Sequence, residues 1–150
     1  MALAIATIAD SIAAVSVSGV TIKDLNEIPE AVTLRDCPVL FPRPDGFVTD
    51  LAVKRDSFGT GAVAKMTVTY ILTYTFCHAP IGSGRGLFDV YDNMIANAFA
   101  IIDAIITNDT VTGLVDLQVD DALNFGPVED PSGNVFHGCE IQLYVMEFVN

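Results

Sequence analysis

Along MTVTYILTYTFC, Met66–Cys77, two chemistries alternate residue by residue. Met66, Val68, Tyr70, Leu72, Tyr74 and Phe76 are large and mostly apolar, while the residues between them are mostly threonine. Successive side chains of a strand point to opposite faces, so this period of two predicts a long strand with one greasy face. The other face, Thr67, Thr69, Ile71, Thr73, Thr75 and Cys77, is either solvated or paves a lumen. The period then changes. In LFDVYDNMIANAFAIIDAIIT, which has no glycine or proline, Leu87, Val90, Tyr91, Met94, Ala98, Ile101, Ile102 and Ile105 recur at helical spacing and predict the major helix. Phe88, Ile95, Phe99 and Ile106 widen its apolar arc beyond one sheet contact. Deep burial in its own domain is the first explanation, and a contact with another subunit is the second.

Weaker patterns fill in the rest. Ile5, Ile8, Ile12 and Val15 form one stripe of a short N-terminal helix that should lie on a sheet. Ser16 to Gly19 breaks it, and VTIKDL reads as a short strand. In EIPEAVTLRDCPVLFPRPDGF the prolines 29, 38, 42 and 44 remove amide donors, which predicts an extended arm over about residues 27–46 rather than a central strand, with RPDG as a turn. A strand follows from about Phe47 to Asp56, and DSFGTGA turns it into the Thr/Tyr strand. The C-terminus reads as a β-hairpin: TGLVDLQVDDALNF, the turn GPVEDPSGN, then VFHGCEIQLYVMEFV, in which Cys139, Ile141, Leu143 and Val145 share one face. The predicted whole is one α+β domain over residues 1–150, a single mainly antiparallel sheet carrying a short and a long helix.

Composition narrows the function classes. Of the 150 residues 51% are hydrophobic and 17% charged, and the mean hydropathy is +0.48, greasy for a monomer that must cover itself with polar groups. Some apolar surface is expected to meet another chain. Against 19 Asp and Glu stand 7 Lys and Arg, a formal charge of -12, so basic wrapping or reading of nucleic acid is disfavoured. Cys37, Cys77 and Cys139 cannot all pair within one chain, which favours a reducing compartment. The apolar start lacks a basic leader, and no uncharged apolar run reaches roughly 18 residues, so a soluble intracellular chain is expected.

Chemical motifs are thin. HAPIGSGRG, between the best strand and the longest helix, has the context of a phosphate loop, but Gly82, Gly84 and Gly86 are each two apart and Leu87 takes the third glycine's place in a dinucleotide fingerprint. No Gly-Lys-Ser or Gly-Lys-Thr follows, and the loop's one cation is Arg85. A flexible connector is the better reading, although a helix N-terminus alone can hold an anion. Cys77, His78, His137 and Cys139 invite a zinc reading, yet neighbours such as Cys77 and His78 point to opposite faces of a strand. Asp116, Asp120, Asp121, Glu129 and Asp130 lack calcium-loop spacing and read as a solvated acidic rim. No catalytic residue, cofactor site or metal site is expected.

In combination, the short N-terminal helix, the IPEAVTLRDCPVLFPRP arm, the Thr/Tyr strand, GSGRGLFDVY leading into a long helix and the closing VFHGCEIQLYVMEFVN strand resemble the tail-terminator or tail-completion proteins of long-tailed, siphovirus-like bacteriophages. The likeness covers nearly the whole chain in element order and length. It implies a non-enzymatic virion protein, made in the host cytoplasm, that forms a ring, commonly hexameric, on the tail tube. Such a ring ends tube polymerisation and joins the tail to the head connector. Its implied partners are itself, the tail-tube protein and a head-connector or head-closure protein, with DNA only as cargo passing through the lumen and no membrane. The alternatives are another neck or tail component, a head-closure or tube subunit, or a small nucleotide- or anion-binding domain using the 82–86 loop. Candidate contact residues are Phe41, Arg43 and Phe47 on the arm and Ile81, Arg85 and Phe88 around the glycine loop.

Overall fold

The computed structural model of the chain describes residues 3–55, 66–81, 87–108, 116–119 and 123–149. The elements in order are α1 (Ile5–Ala13), β1 (Thr21–Ile22), a 3-10 turn (Leu25–Glu27), β2 (Val39–Pro42), β3 (Val48–Arg55), β4 (Met66–Pro80), α2 (Leu87–Ile106), β5 (Asp116–Val119), β6 (Gly126–Glu129) and β7 (Val135–Val149). The fold is α+β, as the alternating and helical periods predict.

β4 and β7 are the spine of the sheet. They pair antiparallel from Met66 opposite Val149 to Pro80 opposite Phe136, and each carries a period of two over its length. The free edge of β4 is shared: β2 lies against Tyr74–Cys77 and β3 against Met66–Leu72. Thr73 marks the junction, its amide donating to Phe47 O at 2.9 Å and its carbonyl accepting from Arg43 N at 3.0 Å. On the far edge of β7, β5 pairs with Leu143–Met146 and β6 with Val135–Gly138. β1 runs parallel beside β2, so the sheet is mixed but mainly antiparallel.

The inner face of the sheet holds the main core. Val68, Tyr70, Leu72, Tyr74 and Phe76 from β4 meet Cys139, Ile141, Leu143 and Val145 from β7, all buried beneath Ile8 and Ile12 of α1 and Met94, Ala98, Ile101 and Ile105 of α2. Each helix thus spends the stripe its spacing predicts on this one face. The row ends in a buried acid, Glu147, whose two carboxylate oxygens accept from the Ala4 amide at 3.0 and 3.1 Å and whose Oε2 also accepts from the Tyr70 hydroxyl. These donors replace the water a buried carboxylate loses. They also tie the start of α1 to the last strand.

The Pro-rich segment departs from the expected arm. Its second half forms β2, which is hydrogen-bonded on both sides, to β1 and to β4. Proline permits this because Pro38 precedes the strand and Pro42 ends it, leaving the amides of Val39 to Phe41 for pairing. Packed on both faces, β2 is buried throughout: Leu40 joins the inner core, while Val39 and Phe41 join Val32, Cys77 and Phe136 in a smaller cluster on the outer face. The C-terminal hairpin differs as well. Gly126–Glu129, expected within the turn, is strand β6, with Pro127 tolerated because its edge is unpaired, and the turn shrinks to Asp130–Asn134.

Two local features hold this end together. The Asp130 carboxylate accepts from the amides of Val32 at 2.8 Å, Ser132 at 3.0 Å and Asn134 at 2.8 Å and from Asn134 Nδ2 at 2.9 Å, clasping the Pro-rich segment to the β6–β7 turn. Gly138 has no room for a side chain: a Cβ there would lie 1.8 Å from the Phe76 carbonyl oxygen. It sits beside the register shift between Cys77 and Ala79, where β4 and β7 approach.

Candidate functional site

The residues singled out from the sequence go to different places. Phe41 is only 1% exposed, locked in the outer-face cluster. It is a core residue and presents no ring to a neighbour, which corrects its assignment as a contact. Arg43 turns inward to its own chain, with Nη1 donating to Glu140 Oε1 at 2.9 Å, Nε to Asp45 O at 2.7 Å and Nη2 to Gly46 O at 3.3 Å. It fastens the β2–β3 turn to β7. Phe47 is half-buried edge-on against Tyr74, the rings 5.4 Å apart and inclined by 83°. Ile81 is exposed where the sheet ends. Arg85 lies outside the described residues, together with Gly82, Gly84 and Gly86, and only the backbone of Phe88 is described, in α2.

The cysteine and histidine quartet is divided between the two faces of the sheet. Cys77 packs in the outer cluster and Cys139 in the inner core, while His78 Nδ1 sits 3.5 Å from Asn97 Nδ2 of α2 on the inner side. Among the described residues no group of three or more His, Cys, Asp or Glu is placed to hold a metal ion. Burial raises the thiols of Cys77 and Cys139 to about 12, and burial with the Asp36 charge raises Cys37 to about 11. All three stay protonated and poorly nucleophilic at neutral pH. Burial, then the hydrogen bond and charge of Glu147, pushes the Tyr70 hydroxyl up. Tyr74 is raised by burial and by the charge of Asp24, and its hydroxyl has no partner among the described residues.

The expected acidic rim does not form one group. Asp130 is buried in its clasp, Glu129 is exposed on β6, and Asp116 lies at the other end of the sheet opposite Met146. Asp120 and Asp121 lie outside the described residues.

Two recesses open on the outer face. One, of about 950 Å³, runs between the Arg43–Asp45 turn, Thr75, Glu140 and β6, and its walls are mostly polar. The other, of about 740 Å³, lies over Thr69, Ile71, Tyr144 and Met146, flanked by Asp50 on one side and Asp116 and Gln118 on the other. Beside this groove Tyr144 is 41%, Met146 38% and Phe148 71% exposed. The threonine row of β4 is therefore neither wholly solvated nor wholly covered: Thr73 and Thr75 are buried, and Thr67 and Thr69 half-buried.

The opposite side of the molecule carries a second exposed apolar strip. Asp92, Ala96, Phe99, Asp103 and Ile106 follow helical spacing on the outward face of α2, with Phe99 60% and Ile106 45% exposed. Deep burial thus accounts for one side of α2 and leaves Phe99 and Ile106 bare. Sequence reasoning had marked these two as a possible subunit contact but missed Tyr144, Met146 and Phe148. The signal available was that from Leu143 onward β7 carries large apolar residues at both parities, with Glu147 the one exception, whereas one covered face needs them at only one.

No family model matches the chain, and no curated protein is significantly similar to it. Among the described residues no helix is long and apolar enough to cross a membrane.

Proposed function

We propose that this chain is a non-enzymatic structural subunit of a phage virion that assembles into a ring, commonly six subunits, at the end of the tail tube. There it ends tube polymerisation and joins the tail to the head connector. The observation that carries the reading is the pair of exposed apolar strips on opposite sides of one small α+β unit, on α2 and on the outer sheet face. Contiguous apolar surface marks association. Patches on opposite sides, unlike one self-complementary patch, favour the head-to-tail contacts that close a ring. The resemblance in element order to tail terminators supports putting that ring at the tail end, where its partners would be the tube protein and the connector, with DNA as passing cargo.

The test is direct. Light scattering and negative-stain images of the purified chain should give closed rings of about six subunits, and adding those rings to elongating tail tubes should stop growth at the capped end. A strict monomer whose melting temperature rises with nucleotide would overturn the reading in favour of a ligand-binding domain.

A further inference from the structure

We infer that neighbouring copies join by laying the outward stripe of α2 from one copy across the open half of the outer sheet face of the next. The inference rests on the ring reading and names its subunit interface.

Three observations converge on this pairing. The open sheet area is a ladder from one strand, Tyr144, Met146 and Phe148, all exposed and on one side of β7. A helix stripe rich in small and apolar side chains is the shape such a surface takes, as α2's buried stripe on the inner face already demonstrates. The outward stripe offers the same elements, Phe99 and Ile106 about two turns apart, with Ala96 and Ala100 beside Phe99.

Charge sets the partner and the register. α2 contains no Lys, Arg or His, and its exposed stripe carries Asp92 and Asp103 on either side of Phe99. Level with Phe148 across the sheet stand Thr67 and then Lys54, with Arg55 one residue on, and both cations are exposed. In a chain of formal charge -12, an acidic helix gains attraction at Lys54, level with Phe148, while Asp50 and Asp116 flanking the groove repel it farther along, which favours the Phe148 end. Phe148 then packs near Phe99, with Asp103 toward Lys54.

The β3 edge argues against the simpler rival, a sheet continued from copy to copy. Its ladder is interrupted by the register shift between Thr49 and Ala52, and Asp50 there adopts a φ of 53°. Bulges and terminal cations are devices that blunt strand edges. The two apolar surfaces also face opposite ways across the sheet and cannot meet within one copy. Each copy therefore has one donor helix and one acceptor face.

That asymmetry gives a decisive experiment on the full chain. Phe148→Asp removes the acceptor face and Phe99→Asp the donor helix; both residues are exposed, and circular dichroism should show each variant folded. By light scattering each variant alone should run as a single chain of 16.0 kDa, its association weakened roughly thirtyfold or more. Mixed in equal amounts they should form a species of two chains and stop there, because each partner brings one intact surface. A milder pair checks the register: Lys54→Asp should weaken assembly and Asp103→Lys in the same chain should restore it. If both Phe variants keep the mass of the parent chain, these faces are not the interface, although the ring reading stands. If the mixture stays monomeric, the two faces do not meet each other. If the parent chain is itself monomeric at every concentration, the ring reading falls along with the interface.

Discussion

The outer face of the central sheet has two halves built from the same two strands. At one end Cys77 and Phe136 are at most 2% exposed beneath the Pro-rich segment, while at the other Tyr144, Met146 and Phe148 stand 38 to 71% bare. Both halves carry large apolar or aromatic side chains on β-strands, so residue type does not separate them. What separates them is cover. The closed half has the segment from Ile28 to Phe41 folded over it, pinned by Asp130 through the Val32 amide at 2.8 Å, whereas nothing among the described residues lies over the open half. Apolar surface that a chain covers itself stabilises the fold, and surface it leaves bare is available for assembly.

The comparison can be broken most sharply by making one change in both halves. Phe41→Ala should cost about 3–5 kcal/mol in urea unfolding, because it empties a site that is closed on every side. An effect below about 1 kcal/mol would mean the closed half is not the packed unit it resembles. Gly138→Ala comes next: with Phe76 O only 1.8 Å from the new Cβ, β4 and β7 must separate locally, costing roughly 2–3 kcal/mol. A wild-type midpoint would show that the strands yield more easily there than their spacing implies.

Asp130→Asn tests the clasp that makes the halves unequal. Burial by itself raises the Asp130 carboxyl, but the amides of Val32, Ser132 and Asn134 and the Asn134 side chain together outweigh burial, and its folded pKa is lowered. Lowered below an unfolded value of about 3.9, the group contributes stability that is present above that value and is lost as pH falls through the folded pKa. The parent chain should therefore lose more stability than the Asn variant as pH drops below about 4, and at neutral pH the variant should be weaker by about 1–3 kcal/mol. Parallel curves would remove the clasp from the account. Phe148→Ala closes the series: truncation of this exposed ring should leave monomer stability within about 0.5 kcal/mol while weakening self-association. A large loss of stability would instead place Phe148 in the core.

The long elements were legible because their periods were long. Twelve alternating residues from Met66 and the helical stripe from Leu87 each had a regular pattern that short-range noise could not imitate, and β4, β7 and α2 occur where it put them. β2 was harder. Its four residues lie between prolines whose local penalty outweighs so short a pattern, and pairing with β1 and β4, distant in sequence, supplies the hydrogen bonds that decide it. Gly126–Glu129 was absorbed into a turn for the same reason, because Gly126 and Pro127 read as punctuation until β7 gives them a partner.

Of the candidate contacts, Phe41 shows the limit most plainly. Its place in a Pro-rich stretch predicted exposure, yet its side chain fills the outer cluster. Tyr144, Met146 and Phe148 show the converse, apolar residues in a strand pattern that the fold leaves uncovered.

By itself the sequence determined the α+β order, the facing of β4, β7 and α2, the acidic charge and the excess of apolar residues, because each follows from local spacing or simple composition. Only the tertiary structure decided where that excess ends up. Burial depends on which distant segment folds over a face: the segment around Ile28 to Phe41 covers one end of the sheet, α1 and α2 cover the inner side, and the outward stripe of α2 and the Phe148 end of β7 stay exposed.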